Sequence, residues 1–280
     1  MIAELNPLIN ILLLSLMAGL GTGLGGLLAV IRRPGKRSYG LLMGITAGVM
    51  ICLAFLELVN EAIRLSNYLV TTVGFAAGAI FMFVLDASAP HIRFGEREVR
   101  RDIPDENCEP CEKPQLSRFV LFRRREKGYD RKLVNTGMLL AVGITLHNLP
   151  EGIAVGAGYM HNPEFGLFIA IAIMLHNIPE GIATALPLCK GGVCRSDAFR
   201  VAFLSGLAEP VGALLAGVFL VNFQGLVPAA MAFAGGVMVF ITLDELIPTA
   251  REYGHEHYTA IGIILGSIFV FILSGLFGAK

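Results

Sequence analysis

The sequence predicts an all-α polytopic membrane protein of eight transmembrane helices, in which helices 1–3 return with inverted topology as helices 6–8. Three observations carry this. Of the 280 residues, 55% are hydrophobic and only 16% are charged, with 33 glycines, a balance that suits a membrane bundle and not a soluble globular domain. Eight windows reach the roughly 20 apolar residues needed to cross about 30 Å of hydrocarbon. Finally, stretches of spans two and three reappear at one constant offset in spans seven and eight.

The windows are 7–31, 39–61, 67–88, 134–158, 165–187, 199–221, 227–248 and 258–279. They make one transmembrane domain over 1–280, with a loop at 92–133 between the third and fourth. The first run has no basic segment before it and no small-residue cleavage site, so it reads as a retained span and not a signal peptide. The second holds Met50, in the AGVM stretch 47–50, and Glu57 near its far end. The loop 92–133 mixes both signs of charge and reads as a solvated segment.

Charge sets the orientation. Counting Arg200 at the membrane edge of span six, the loops after spans one, three, five and seven hold 20 of the 22 Lys and Arg residues; only Arg64 and Lys280 lie elsewhere. The positive-inside rule places those loops in the cytoplasm and both termini outside, as in a multi-pass protein of the cell (inner) membrane. Net charge is zero, so nothing points to nucleic acid.

The repeat is read from matched residues. GFAAGAIFMFVL (74–85) aligns without gaps on GIILGSIFVFIL (262–273). At the same offset of 188, Gly48-Val49-Met50 matches Gly236-Val237-Met238, and Glu57 matches Glu245. Paired spans stand five apart and so cross in opposite directions, the inverted topology of many secondary transporters. Spans four and five lie between the copies.

Those two spans hold the chemistry. LHNLPEG (146–152) is echoed by LHNIPEG (175–181). On a helix His147 and Glu151 are i and i+4 and share one face, with Asn148 at its flank; His176, Asn177 and Glu180 repeat the pattern. A carboxylate in hydrocarbon is costly without a partner, and two such faces together offer imidazole, amide and acid to a divalent cation. Pro150 and Pro179 cannot donate to the carbonyls of Leu146 and Leu175, so each helix is expected to kink and leave a carbonyl free beside the polar patch. Mixed N/O ligands without thiolate make a broad, moderate-affinity site, as release requires. Binding is expected to displace protons, so that uptake weakens at acidic pH.

With HNxPEG in both middle spans, SGLAEP (205–210), DELIP (244–248) and a long basic loop after the third span, nearly the whole chain resembles the ZIP (Zrt/Irt-like) family of divalent metal transporters. Its prokaryotic zinc-uptake and GufA-type members are the nearest in character. The resemblance implies a 3+2+3 bundle, a homodimer, and transport of Zn²⁺, with Fe²⁺, Mn²⁺, Co²⁺ or Cd²⁺ as further ions, into the cytoplasm. The metal is substrate, and no organic cofactor is expected. It further implies a first site at His147, Glu151, His176 and Glu180. An adjacent second site would comprise Asn148, Glu151, Asn177, Glu180 and Glu209, both glutamates bridging. Some members have an acid where Asn177 stands, which leaves this second site one charge short. Asp86, His91, Asp244 and Glu245 would form the inner exit.

The remaining polar residues carry less. Cys108, Cys111, Cys189 and Cys194 fall on the cytoplasmic side, where thiols stay reduced, and could together form a regulatory zinc site. His255 and His257 are cytoplasmic and can accept exiting metal or simply line a solvated turn. His161 lies on the outer loop and is read as incidental. The alternative function is an intramembrane di-metal enzyme, since carboxylates and histidines on facing helices also build di-iron centres. Against it, the Glu-x-x-His pairs and HExxH are missing, and the expectation is not an enzyme.

Overall fold

The structure is a computed structural model and describes residues 7–31, 35–88, 115–116, 123–124, 131–253 and 255–277. It is all-helical apart from a two-residue antiparallel pair, Gln115–Leu116 with Arg123–Arg124, in the long loop. Helix α1 spans Pro7–Ile31, α2 Lys36–Cys52, α3 Asn60–Leu65 and α4 Tyr68–Ser88. Helix α5 runs over Arg131–His161 and α6 over Pro163–Lys190. Then follow α7 (Arg195–Gly206), α8 (Ala208–Asn222), α9 (Val227–Ile241), α10 (Ile247–Tyr253) and α11 (Glu256–Phe277).

Local chemistry explains several boundaries. Asn67 Oδ1 accepts from the backbone N–H of Val70 at 3.0 Å and starts α4. Asn162 Oδ1 accepts from Glu164 N at 2.7 Å, with Pro163 at the first helical position, so α6 starts two residues after α5 ends. Helices α5 and α6 run through Pro150 and Pro179 without interruption. A π-helical segment, Leu53–Val59, joins α2 to α3, and another, Thr242–Leu246, joins α9 to α10. Pro248 cannot donate to the carbonyl of Asp244, which favours the wider turn there. No proline lies near the first segment, and we have no physical account of it.

Among the described residues seven helices are long and apolar enough to cross a membrane: 7–31, 37–65, 68–85, 163–190, 195–222, 224–244 and 256–276. The fourth sequence window falls in α5. The sixth window falls within 195–222, where a single turn at Leu207 separates α7 from α8. Pro210 cannot donate to the carbonyl of Gly206, and Leu207 N bonds back to Leu204 O at 3.1 Å in a tight last turn.

Packing separates the helices into two groups. Helices α1, α5, α6, α7 and α8 pack closely on one another, as do α2, α4, α9, α10 and α11, while α5 against α9 and α2 against α6 form the seam. Glycine makes the tight contacts inside each group. A Cβ on Gly25 would collide with the carbonyl of Ile178, and one on Gly181 with that of Thr22, which welds α1 to α6. Gly48 lies as close to Ile263 and Gly266 to Ile45, across α2 and α11; Gly236 meets Phe75 and Gly78 meets Phe233, across α9 and α4. Small residues let backbones approach where lipid supplies no hydrophobic driving force. Along the seam, bulky side chains take over, with Met50, Ile173 and Met238 fully buried. Thr242 Oγ1 reaches Met50 Sδ at 3.7 Å, so Met50 belongs to the packed interior.

Candidate metal centre

The two motifs meet halfway along α5 and α6. His147, Asn148, Glu151, His176, Asn177, Glu180 and Glu209 are all buried, none more than 5% exposed. Glu151 is the hub. Its Oε1 lies 2.9 Å from His147 Nε2, one turn back on α5, and 2.9 Å from His176 Nε2 on α6. His147 Nε2 also lies 3.0 Å from Glu180 Oε1. Ligand atoms of His147, Glu151 and Glu180 all fall within 4.8 Å of one another, close enough to share one ion.

The asparagines are held by their amide nitrogens. Asn148 Nδ2 donates to Ser205 O at 3.0 Å, where α7 is about to end. Asn177 Nδ2 donates to Ala18 O of α1 at 3.2 Å and to Glu209 Oε1. Both amide oxygens, together with Glu151 Oε2, Glu180 Oε2 and Glu209 Oε2, have no hydrogen-bond partner. Buried oxygens are normally satisfied. Five buried acceptors without a hydrogen-bond partner are what a dehydrated cation would use. Glu209 enters from the first turn of α8, just past the break, and joins the Asn177 side of the cluster.

The expected residues of both sites are therefore brought together. Sequence reasoning missed the backbone: the Ser205 and Ala18 carbonyls that hold the two asparagines. A signal for the first was present in Gly206 and Pro210, which mark a discontinuity in an otherwise apolar run.

The other expected residues are less fully described. Asp244 lies exposed in the π-helical segment and Glu245 beside it, while Asp86 falls near the end of α4. The side chains of Asp86 and Glu245, and all of His91, Cys108 and Cys111, lie outside the described residues. Cys189 and Cys194, expected as reduced thiols, are both disulfide-bonded here. Sulfur in a disulfide is not the thiolate a zinc site needs, which corrects that expectation for these two residues. Glu57 is half-buried in the first π-helical segment.

Comparison with known proteins agrees in character. The family profile described as ZIP Zinc transporter matches residues 108–274. A zinc transporter ZupT of Corynebacterium aurimucosum is 38% identical over 269 residues, covering 94% of this chain and 96% of the relative. The ZupT of Lysinibacillus sphaericus is 39% identical, covering 92% and 94%. That of Clostridium perfringens is 33% identical, covering 95% of each.

Proposed function

The chain belongs to the ZIP family of zinc transporters, and we propose that the divalent ion it moves passes through the centre built by α5, α6 and α8. Transport of a divalent metal, zinc foremost, is its activity, and the metal is substrate. Family membership sets aside the alternative of an intramembrane di-metal enzyme. Zn²⁺ suits two imidazoles and two carboxylates, and Fe²⁺, Mn²⁺, Co²⁺ and Cd²⁺ can use the same donors.

The observation that carries the reading is the surplus of buried acceptors around His147, Glu151 and Glu180. In the first site His147, Glu151, His176 and Glu180 hold the ion. In the second, Asn148 and Asn177 oxygens, Glu209 and the two bridging glutamates hold another. The exit passes Asp86, His91, Asp244 and Glu245. On the positive-inside rule the α4–α5 connection is cytoplasmic and both termini are outside, and the family resemblance implies inward flux.

In this reading α5 is the eighth span; its 31 residues give about 46 Å of helix, more than enough to cross. Matched close approaches support the inverted repeat. Gly48 against Ile263 has its counterpart, at the offset of 188, in Gly236 against Phe75; Gly78 against Phe233 has its own in Gly266 against Ile45. The π-helical segments also correspond, since Glu57 and Glu245 lie one in each. A homodimer belongs to the same reading, because α4 and α11 keep apolar faces, including Leu69, Phe83 and Ile272, that lipid or a second copy must cover.

The test is zinc uptake into proteoliposomes. Wild-type protein is expected to load the vesicles saturably, and the Glu151→Ala/Glu180→Ala variant to load them no faster than protein-free lipid. Equal loading by both would overturn the assignment of the site.

A further inference from the structure

Among the described residues, every pair of histidine and carboxylate within ion-pair distance but one belongs to the buried centre. The exception is His161 with Glu61: His161 Nε2 lies 3.1 Å from Glu61 Oε1. The atoms and spacing are those of the centre itself, where His Nε2 and Glu Oε1 stand 2.9 to 3.0 Å apart. We infer that His161 and Glu61 form a second, outer site that captures a late first-row divalent cation and supplies it to the buried centre. This rests on the orientation proposed above, which puts the end of α5 and the end of α3 on the outer face.

Three features support it. First, His161 ends the helix that carries His147 and Glu151. Fourteen residues make about 3.9 turns, which places His161 about 21 Å outward from His147 and within about 40° of the same face. Second, the pair joins the two helix groups: Glu61 belongs to α3, which packs on α9 and α4 of one group, and His161 to α5 of the other. An ion held there sits over the seam and not on the back of either group. Third, both groups are accessible yet held. The side chains are 24% and 21% exposed, and the His161 ring packs edge-on against Phe165 with centroids 5.7 Å apart. Glu61 follows directly on the π-helical segment and Asn60, a distortion often found at functional sites.

One imidazole nitrogen and one carboxylate, completed by water, suit Zn²⁺, Co²⁺ or Cd²⁺ better than Mg²⁺ or Ca²⁺, which prefer oxygen. Two protein ligands hold an ion weakly, as capture before hand-over needs. Glu61 Oε2 also lies 3.5 Å from Arg64 Nη1, but that guanidinium is 69% exposed and free to swing into water.

Cobalt titration and transport kinetics test the inference. In the Glu151→Ala/Glu180→Ala background, Co²⁺ absorption is expected to report a residual weak site that a further His161→Gln removes. In the otherwise unaltered chain, His161→Gln and the near-isosteric Glu61→Gln are each expected to raise KM for zinc about fivefold with Vmax within about twofold. The inference is overturned if the background shows no residual cobalt site, or if that site survives His161→Gln. It is equally overturned if the substitutions lower thermal stability and Vmax with KM unchanged, the mark of a purely structural clasp. Unaltered kinetics in both variants sink this inference alone, whereas absence of flux through the wild-type chain sinks the proposed function.

Discussion

Asn148 and Ser205 are 57 residues apart in sequence, and the amide of the first donates to the carbonyl of the second at 3.0 Å. The bond ties the α5 motif to the last turn of α7, where the chain breaks before presenting Glu209. Asn148 thus meets a carbonyl at the end of α7 while its own oxygen stays buried without a hydrogen-bond partner.

Replacing Asn148 by Leu removes both the amide donor and that oxygen. The buried Ser205 carbonyl loses its donor, at a cost of about 1–3 kcal/mol. Thermal melts in detergent are expected to show a lower midpoint, and added zinc should restore less of it than in the wild type. A melt unchanged in both respects would mean that water or a neighbouring group replaces the amide.

Asn177→Asp is expected to favour a second metal. Asn177 stands beside Glu209 and presents an unpartnered oxygen to the cluster; an added carboxylate supplies the charge the second site lacks. Affinity in oxygen-rich sites rises with ligand charge. Elemental analysis should move from about one toward about two metals per chain, while the lost amide donor gives up its bonds to Ala18 O, which keeps its intrahelical partner, and to Glu209. A ratio that does not move would argue that geometry, not charge, limits the second site.

The glycine contacts predict a sharp contrast. Gly25→Ala and Gly48→Ala drive a methyl into the carbonyls of Ile178 and Ile263, where backbone cannot yield cheaply. Each should destabilise the fold by about 1–3 kcal/mol. Gly35→Ala and Gly225→Ala meet nothing within 4 Å and should be close to neutral. The ordering of melting temperatures checks this, and equal effects at all four positions would refute the welded-helix account.

Protons and metal compete for the same nitrogens and oxygens, since ligands must be deprotonated to bind. Lowering the outer pH through the imidazole range, about 6.5 for a free side chain, should raise the KM for zinc. Initial uptake rates at limiting zinc across about pH 5.5 to 7.5 measure it; a flat profile would show that binding is not linked to proton release.

Much of the site was legible because its signal is local. HNxPEG occurs twice, and the i, i+4 relation of His147 to Glu151 follows from helix geometry alone. Hydropathy marked the spans for the same reason. The turn at Leu207 within span six was not legible, because Gly206 and Pro210 permit a break without dictating one.

From the sequence alone came the apolar windows, the asymmetry of basic residues, the paired motif and the matching offset between halves, each a property of neighbours along the chain or of internal comparison. Only the tertiary structure decided that Glu151 is shared by His147 and His176, that Asn148 and Asn177 hold distant carbonyls, and that His161 meets Glu61. The pairings between different helices span 25 to 159 residues. They depend on which helix faces turn toward each other, and that is set by close packing of glycines and side chains whose depth no local periodicity encodes.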